Sequence, residues 1–362
     1  MMRVTLVVLG LAAIASAAPH ARQVSVPTEP GTPGVPAVPA APLQPLAPDS
    51  PETAGPASFE AFLEGIRAEA LDRGLSPAAV DSALAGLSPQ PVVVARDRAQ
   101  PEQVQSLDAY LAQRLTARTV TTARQMHRRH AGVLREVERE FGVPAAVMTA
   151  IWGLESNFGR FTGTYPTIRA LATLAYDGRR ALFRSELLAA LEMVDRGVPF
   201  ERMRGSWAGA MGQPQFMPSS FLRHAVDFDA DGATDIWASL PDVFGSMGNY
   251  LKNAGWTAGE RWGREVVVSD SVLAEIDRGV PMRAEGCRAV RAMTEPRPLA
   301  EWSRLGVTLA GGRPLPTADM EASLVRGVRR HFLAYRNYEA ILDYNCSHSY
   351  ALAVALLADR VN

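Results

Sequence analysis

The stretch GVPAAVMTAIWGLESNFGRFTG, residues 142–163, predicts a buried helix that ends close to an acidic side chain. Pro144 fits the first turn of a helix, and Gly159 fits its end. Between them an apolar stripe at spacings of three and four residues includes Ile151 and continues to Glu155. The spacing therefore places Glu155 at the buried edge of its own helix.

A glutamate in this position is expected to hold its proton unusually well. Loss of hydration raises the pKa of a carboxyl, and the partial negative charge at the end of a helix acts in the same direction. Both effects favour the neutral acid near neutral pH, which is the form that a general acid needs. The alternative is a buried structural ion pair between Glu155 and an arginine such as Arg160 or Arg180.

Two further segments carry unusual local chemistry. GSWAGAMGQPQFMPSS, residues 205–220, combines glycines that allow close approach to a ligand with Ser206 and Gln215, which can hydrogen-bond sugar-like hydroxyls. It could equally be a tight packing loop. In LDYNCSHSYA, residues 342–351, a tyrosine and an asparagine stand at a helix-entry signal, where asparagine is also a common cap.

Composition limits the classes of function. A chain of 362 residues with 47% hydrophobic residues can bury a sizeable core, in two or three domains. The formal net charge of −1 gives no basic field for nucleic acid, which is therefore not an expected partner. The two cysteines, Cys287 and Cys346, could form a disulfide in an exported protein, but the sequence leaves their pairing open.

The N-terminal residues predict export. Residues 1–17 have the charge, apolar run and small-residue end of a cleaved signal peptide, so no stable membrane span is expected in the mature chain. No cysteine follows that would carry a lipid anchor. Residues 18–57 form a proline-rich linker with proline at every third position from 27 to 51, either a semi-rigid spacer or a docking ligand.

The remaining chain is predicted to be mainly helical. After a helical region at 58–133, a catalytic core is expected at 134–256 together with 334–362. Residues 257–333 are interpreted as a small β-rich module because REVVVSD, CRAVRAM and GVTLAGG are short β-prone runs. The fold class predicted is mainly α, with a minor β component.

These motifs together resemble the lytic murein transglycosylase B family. The glutamate helix, GAMGQPQFMPSS, the Asp-rich loop at 227–242, GNYLKNAGW and DYN occur in the order seen in that family, over roughly residues 58–360. The resemblance implies a lysozyme-like helical core with an N-terminal helical domain and an inserted β-rich domain. It also implies a monomeric periplasmic or secreted enzyme that acts on peptidoglycan glycan strands without an organic cofactor.

By this resemblance Glu155 is the sole catalytic acid/base. The family cleaves the β-1,4 bond between N-acetylmuramic acid and N-acetylglucosamine without water, and the C6 hydroxyl of the muramic acid closes a 1,6-anhydro ring. The positions that match substrate-binding residues of the family are Ser206, Gln215, Tyr250, Tyr344 and Asn345. Arg179 and Arg180 match a basic pair suited to substrate carboxylates or the peptide stem.

The Asp-rich loop DFDADGATDIWASLPD, residues 227–242, follows the spacing of a calcium loop. It departs from that pattern at the twelfth position, where Ala238 replaces the usual glutamate. The resemblance implies a longer loop closed by Asp242, and hence one structural Ca²⁺ held with modest affinity; the alternative is a solvated acidic turn. The expected ligands are Asp227, Asp229, Asp231, the Ala233 carbonyl, Asp235 and Asp242.

Two other functions stay open on the sequence alone. A hydrolytic muramidase would need a second carboxylate or a positioned water in the cleft. A non-catalytic peptidoglycan-binding protein would retain Glu155 merely as a structural partner.

Overall fold

The computed structural model describes residues 58–99, 105–178 and 180–361. The predicted signal peptide and the proline-rich linker lie outside the described residues. Within them no helix is long and apolar enough to cross a membrane. The α-helices are α1 Phe59–Asp72, α2 Pro77–Leu84, α3 Pro91–Arg98, α4 Leu107–Arg114, α5 Ala117–Arg129, α6 Ala131–Phe141, α7 Ala145–Ser156, α8 Thr167–Asp177, α9 Arg180–Asp195, α10 Pro218–His224, α11 Leu240–Asn253, α12 Asp270–Gly279, α13 Arg288–Arg291, α14 Leu299–Arg304, α15 Arg336–Tyr344 and α16 His348–Val361.

Several helices begin with a serine or threonine as the N-cap residue. At six helices a serine or threonine side chain accepts a hydrogen bond from the backbone N–H three residues later, which satisfies a donor that the helix itself cannot pair. These caps are Ser58, Ser76, Ser106, Thr116, Ser239 and Ser269.

Two hydrophobic clusters hold the helices together. The first cluster joins α1–α3 to α8, α9 and the glycine-rich segment after them. The second surrounds α7 with residues of α5, α6, α11, α15 and α16. Helices of the segment 58–133 therefore contribute to both clusters, together with residues of the predicted catalytic core. The domain boundaries drawn from the sequence stay a prediction.

The β structure is small and antiparallel. Strands β1 Tyr165–Pro166 and β2 Arg204–Gly205 form a two-stranded pair, with Tyr165 opposite Gly205. Strands β3 Gly263–Val266, β4 Arg297–Pro298, β5 Glu321–Arg326 and β6 His331–Ala334 form a sheet in the order β3-β6-β5-β4. This sheet packs with α12 and α14 in a third hydrophobic cluster. The mainly helical class with a minor β component is confirmed.

Two of the predicted β-prone runs contain no strand: GVTLAGG contributes only a single bridge, between Thr308 and Val267, and CRAVRAM is helical. CRAVRAM contains the short helix α13, and Ala289 is buried against the second cluster. Alanine and arginine favour helix, so the single β-branched Val290 was a weak basis for a strand. Cys287, the N-cap residue directly before this helix, forms a disulfide with Cys346 across a Cα–Cα distance of 6.2 Å. The pairing that the sequence left open is therefore present in the structure.

Candidate active site

Glu155 stands in the last turn of α7, where the chain reverses sharply. The helix ends at Ser156, three residues earlier than the glycine stop suggested, because Asn157 and Phe158 adopt left-handed backbone conformations with φ of 49° and 60°. The Phe158 ring folds back onto Gly153, where a Cβ would lie 2.7 Å from the ring. The turn thus holds the end of α7 in one conformation.

The Glu155 carboxyl is only partly accessible to solvent, and its proton affinity is raised. Burial raises the pKa of Glu155 from 4.5 to about 7, while the Tyr350 hydroxyl and the charge of Arg114 lower it. No carboxylate of the described residues is among the groups that shift this pKa. The acid is therefore about half protonated near neutral pH.

Three tyrosines surround this carboxyl. Burial raises the pKa of Tyr110, Tyr344 and Tyr350, and the charge of Glu155 adds to the shift in each case, which places all three rings near the acid. The Tyr350 hydroxyl is buried and makes no hydrogen bond of good geometry with the described residues, although it is close enough to lower the pKa of Glu155.

Tyr110 and Arg114 belong to α4, which precedes Glu155 in the chain, whereas Tyr344 and Tyr350 follow it. The Arg114 guanidinium lies over the Tyr110 ring, with Cζ 5.4 Å from the ring centroid. Sequence reasoning missed Tyr110, Arg114 and Tyr350 as site residues. The sequence placed α4 only within the helical region predicted at 58–133, and the fold is what brings it to Glu155.

An aromatic wall continues from the tyrosines. The Tyr250 and Tyr344 rings lie 4.8 Å apart between centroids, and Phe216 lies within 6 Å of both. The Tyr250 hydroxyl donates to the Asp343 carbonyl at 2.9 Å, and the Tyr344 hydroxyl donates to the Pro214 carbonyl at 2.6 Å. Because both hydroxyls are occupied, these residues present ring faces, which suit the apolar faces of sugars.

The imidazole of His224 extends the same wall, 4.5 Å from the Tyr250 ring. Burial lowers the pKa of His224. Burial thus favours the neutral form of this ring.

The glycine-rich segment approaches the end of α7 through its backbone. A Cβ on Gly163 would collide with the Gly205 backbone, so only glycine allows this contact. The Ser206 hydroxyl accepts from the Ala210 N–H at 3.1 Å, which leaves its own hydrogen free to donate. The Gln215 amide donates to the Thr162 carbonyl at 3.2 Å and leaves its carbonyl oxygen free to accept.

A second glutamine in this segment fastens it to α7. The Trp152 indole N–H donates to the Gln213 side chain at 2.7 Å, and Gln213 donates in turn to the Trp237 carbonyl at 2.9 Å. Gln213 is buried, so it holds the loop in place rather than facing a ligand.

The other residues predicted to bind substrate are Asn345, Arg179 and Arg180. Asn345 is largely buried directly after the end of α15, so it follows a helix and does not cap the next one. Arg180 begins α9, and Arg179 lies outside the described residues.

The Asp-rich loop brings three of its carboxylates together. One oxygen from each of Asp227, Asp229 and Asp242 lies within 4.8 Å of the other two. Asp235 instead pairs with Arg202 and accepts from the backbone N–H groups of residues 237 and 238. Asp231 accepts from the Ala233 N–H at 2.8 Å.

This donor set fits a calcium ion. Carboxylate oxygens are the ligands that calcium prefers. Burial raises the pKa of Asp242, and the charge of Asp229 adds to this, as expected for negative groups that converge without a cation. Asp242 is fully buried and also accepts from the Phe228 and Asp235 N–H groups, both at 2.7 Å, so it closes the loop from α11.

Comparison with known proteins identifies related chains. A family model described as the transglycosylase SLT domain matches residues 58–359. The chain is 32% identical over 230 residues to the membrane-bound lytic murein transglycosylase B of Escherichia coli K12, an alignment that covers 61% of this chain and 58% of that protein. The chain thus spans less than two thirds of the length of the curated relative it matches.

Solved structures agree in fold. The crystal structure of SltB3 from Pseudomonas aeruginosa in complex with NAG-anhNAM-pentapeptide has a TM-score of 0.75 and 42% identity, covering 84% of this chain and 79% of that one. The Escherichia coli lytic transglycosylase Slt35 in complex with calcium has a TM-score of 0.67 and 26% identity, covering 83% and 92%. The lysozyme-like lytic transglycosylase fold implied by the resemblance is confirmed.

Proposed function

Because the chain belongs to the transglycosylase SLT domain family, we propose that it is a peptidoglycan lytic transglycosylase with Glu155 as its single acid/base. It cleaves the β-1,4 bond between N-acetylmuramic acid and N-acetylglucosamine and leaves 1,6-anhydromuramic ends. The observation that carries the proposal is a carboxyl with a pKa of about 7, enclosed by tyrosines and without a second carboxylate acting on it.

The first step uses the neutral form of Glu155. At or below neutral pH the carboxyl holds a proton because burial disfavours its charge. It gives this proton to the glycosidic oxygen, so the C1–O bond breaks and the glucosamine hydroxyl leaves. The neighbouring N-acetyl group of the muramic acid supports the positive charge that develops at C1.

The second step uses the carboxylate that the first step leaves. The Tyr350 hydroxyl and the Arg114 charge both favour this anion, which takes the proton of the muramic C6 hydroxyl. The C6 oxygen then bonds to C1 and closes the anhydro ring. Glu155 regains its proton, so one carboxyl serves both transfers and no water is consumed.

Substrate binding is assigned to the groups around the acid. Tyr250 and Tyr344 offer ring faces to the sugars, and Ser206, Gln215 and Asn345 supply polar groups for hydroxyl and acetamido substituents. Arg179 and Arg180 would meet carboxylates of the substrate or its peptide stem. The complexes of SltB3 with NAG-anhNAM-pentapeptide and NAG-NAM-pentapeptide support a substrate of this chemistry.

A hydrolytic mechanism would need a second carboxylate, and Asp343 is the candidate beside the aromatic wall. Its charge raises the pKa of Tyr250, so it lies beside the aromatic wall, but it is exposed and does not act on Glu155. A hydrolase needs a second carboxylate as base or nucleophile. Under our proposal Asp343 has neither role.

The test is digestion of purified peptidoglycan followed by mass spectrometry of the products. Anhydro ends, one water lighter than reducing ends, are expected from the wild type and from Asp343→Asn, and no products from Glu155→Gln. Reducing ends from the wild type would establish hydrolysis instead. Binding without any cleavage would leave only a peptidoglycan-binding protein.

The Asp-rich loop is proposed to bind one structural Ca²⁺ through Asp227, Asp229 and Asp242, with Asp231, the Ala233 carbonyl and Asp235 as the further predicted ligands. The ion would relieve repulsion among the carboxylates and brace the loop against α11. Slt35 in complex with calcium supports this assignment. The proposed substrate also supports export of the chain to the periplasm or beyond through the signal peptide predicted at 1–17.

A further inference from the structure

The short connection between α15 and α16, residues 345–347, carries active-site side chains on both flanks. Tyr344 ends α15 and Tyr350 lies in the first turn of α16, and both rings are near Glu155. The connection is therefore the backbone that positions this side of the cleft.

This connection has little regular backbone support. The Ser347 N–H bonds only two residues back, to the Asn345 carbonyl at 2.7 Å, and the ladder of α16 starts with the Ala351 N–H bonded to the Ser347 carbonyl at 2.8 Å. A segment outside the helical ladders relies on other contacts to keep its conformation. Tyr350 needs such support because its buried hydroxyl has no well-formed hydrogen bond to the described residues.

The disulfide fastens the middle of this connection from outside. Cys346 is bonded to Cys287, the N-cap residue of α13, and the Ala289 N–H of α13 donates to the Cys346 sulfur at 3.3 Å. Both cysteines are half-buried against the hydrophobic cluster around α7. The cross-link thus ties the residue after Asn345 to a part of the chain 59 positions away.

The other ties on α15 are not covalent. Asn337, in the first turn, bonds to the backbone of residues 257 and 260, and Glu339 forms an ion pair with Arg283 at 2.8 Å. These contacts hold the start and middle of α15. At the end that carries Tyr344, the hydroxyls of Tyr250 and Tyr344 make one hydrogen bond each, and the disulfide adds a covalent tie at the second residue beyond the helix.

We propose that the Cys287–Cys346 disulfide is a positioning element of the active site, which keeps Tyr344 and Tyr350 in place against Glu155 so that turnover depends on it. The inference rests on the proposed function. A displacement of about 1 Å in a catalytic constellation can lower a rate up to about a hundredfold, so a covalent tie here affects the reaction beyond its effect on stability.

The test compares the full-length wild type with the double variant Cys287→Ala/Cys346→Ala. Turnover of a soluble muramic acid-containing tetrasaccharide is measured well below the unfolding temperature, over a range of pH. We expect kcat to fall by about tenfold or more with KM changed less than twofold. We also expect the pH dependence of kcat to shift, because Tyr350 would no longer be held at Glu155; Tyr110 and Arg114 on α4 and Tyr344 are the other groups that face this carboxyl.

The matched control is Ile276→Ala. Ile276 is fully buried in the hydrophobic cluster around the four-stranded sheet, so its truncation lowers thermal stability without touching the connection. This control should keep the wild-type kcat and pH profile. If the double variant loses stability but also keeps both, the disulfide is a structural cross-link only and the inference is overturned.

If the double variant fails to fold, a second measurement on the wild type tests the same inference. The wild type is treated with a water-soluble phosphine, freed thiols are counted, and kcat is expected to fall in proportion to them; unchanged kcat at full reduction overturns the inference. Failure of the proposed function is a separate outcome, since an oxidised wild type that yields no anhydro product fails before the disulfide is compared.

Discussion

Replacing Glu155 with glutamine should abolish activity and at the same time stabilise the protein at alkaline pH. Glutamine has nearly the shape of the protonated glutamic acid, but it never carries the charge that burial disfavours. The folded protein holds the Glu155 proton up to a pH of about 7, whereas the unfolded chain releases it near 4.5. Activity and stability therefore change in opposite directions in one variant.

The magnitude and its pH dependence follow from the raised pKa. A rise from 4.5 to about 7 corresponds to about 3 kcal/mol against the charged folded state, an upper value because the side chain keeps partial solvent access. Below pH 4.5 both states are protonated and Glu155 causes no penalty. Between pH 4.5 and 7 the folded wild type binds more protons than the unfolded chain, so it loses stability as pH rises. Above pH 7 the loss is complete.

The assay is urea unfolding of the wild type and Glu155→Gln at pH 5 and pH 8. The variant should gain up to about 3 kcal/mol in the free energy of unfolding at pH 8 and much less at pH 5. Glu136→Gln, an exposed change on α6, is the matched control and should show no such pH-dependent gain. An equal effect of Glu155→Gln at both pH values would refute the raised pKa, and residual activity would refute its assignment as the acid/base.

Three other outcomes are expected. Peptidoglycan cleavage by the wild type should fall as pH rises through about 7, since Glu155 then loses the proton that it donates; a flat rate between pH 6 and 9 would contradict this. Calcium should raise the melting temperature of the wild type and of Asp319→Asn, an exposed change outside the Asp-rich loop, but not of Asp229→Asn; scanning calorimetry that finds the same shift in both variants would disprove the carboxylate cluster as the site. Gly163→Ala should lower the free energy of unfolding by about 3 kcal/mol or more, because a Cβ collides with backbone, whereas Gly74→Ala, with the same positive φ and open space, should cost about 1 kcal/mol.

Local patterns predicted those parts of the site that lie within one segment of the chain. The apolar spacing before Glu155 correctly indicated a helix with the acid near its end, because helical periodicity is a local property. The exact end was missed by three residues, since Asn157 and Phe158 adopt left-handed conformations that glycine more often takes. The wrong strand prediction at CRAVRAM has a different reason. A run of four to seven residues is too short for its periodicity to distinguish a strand from a helix.

The residues that complete the site could not be predicted from any local pattern. Tyr110 precedes Glu155 by 45 positions and Tyr350 follows it by 195; Tyr350 lies within LDYNCSHSYA, but nothing in that segment marks this tyrosine as a neighbour of the acid. They come close to the acid because α16 packs against α7 and α4 packs against α16, within one hydrophobic cluster. The pairing of Cys287 with Cys346 could not be predicted either, because the distance between the two cysteines depends on the packing of α13 against α15.

These distant residues decide how well one acid can serve two proton transfers. Burial alone would favour the neutral acid, which helps the first transfer but makes the carboxylate costly when the second requires it. Tyr350 and Arg114 act against burial and favour the anion, so the pKa of Glu155 stays at about 7 rather than rising further. A group titrating near the working pH can both give and take a proton at little cost. The helix end buries the acid, and the side chains of α4 and α16 keep it able to ionise.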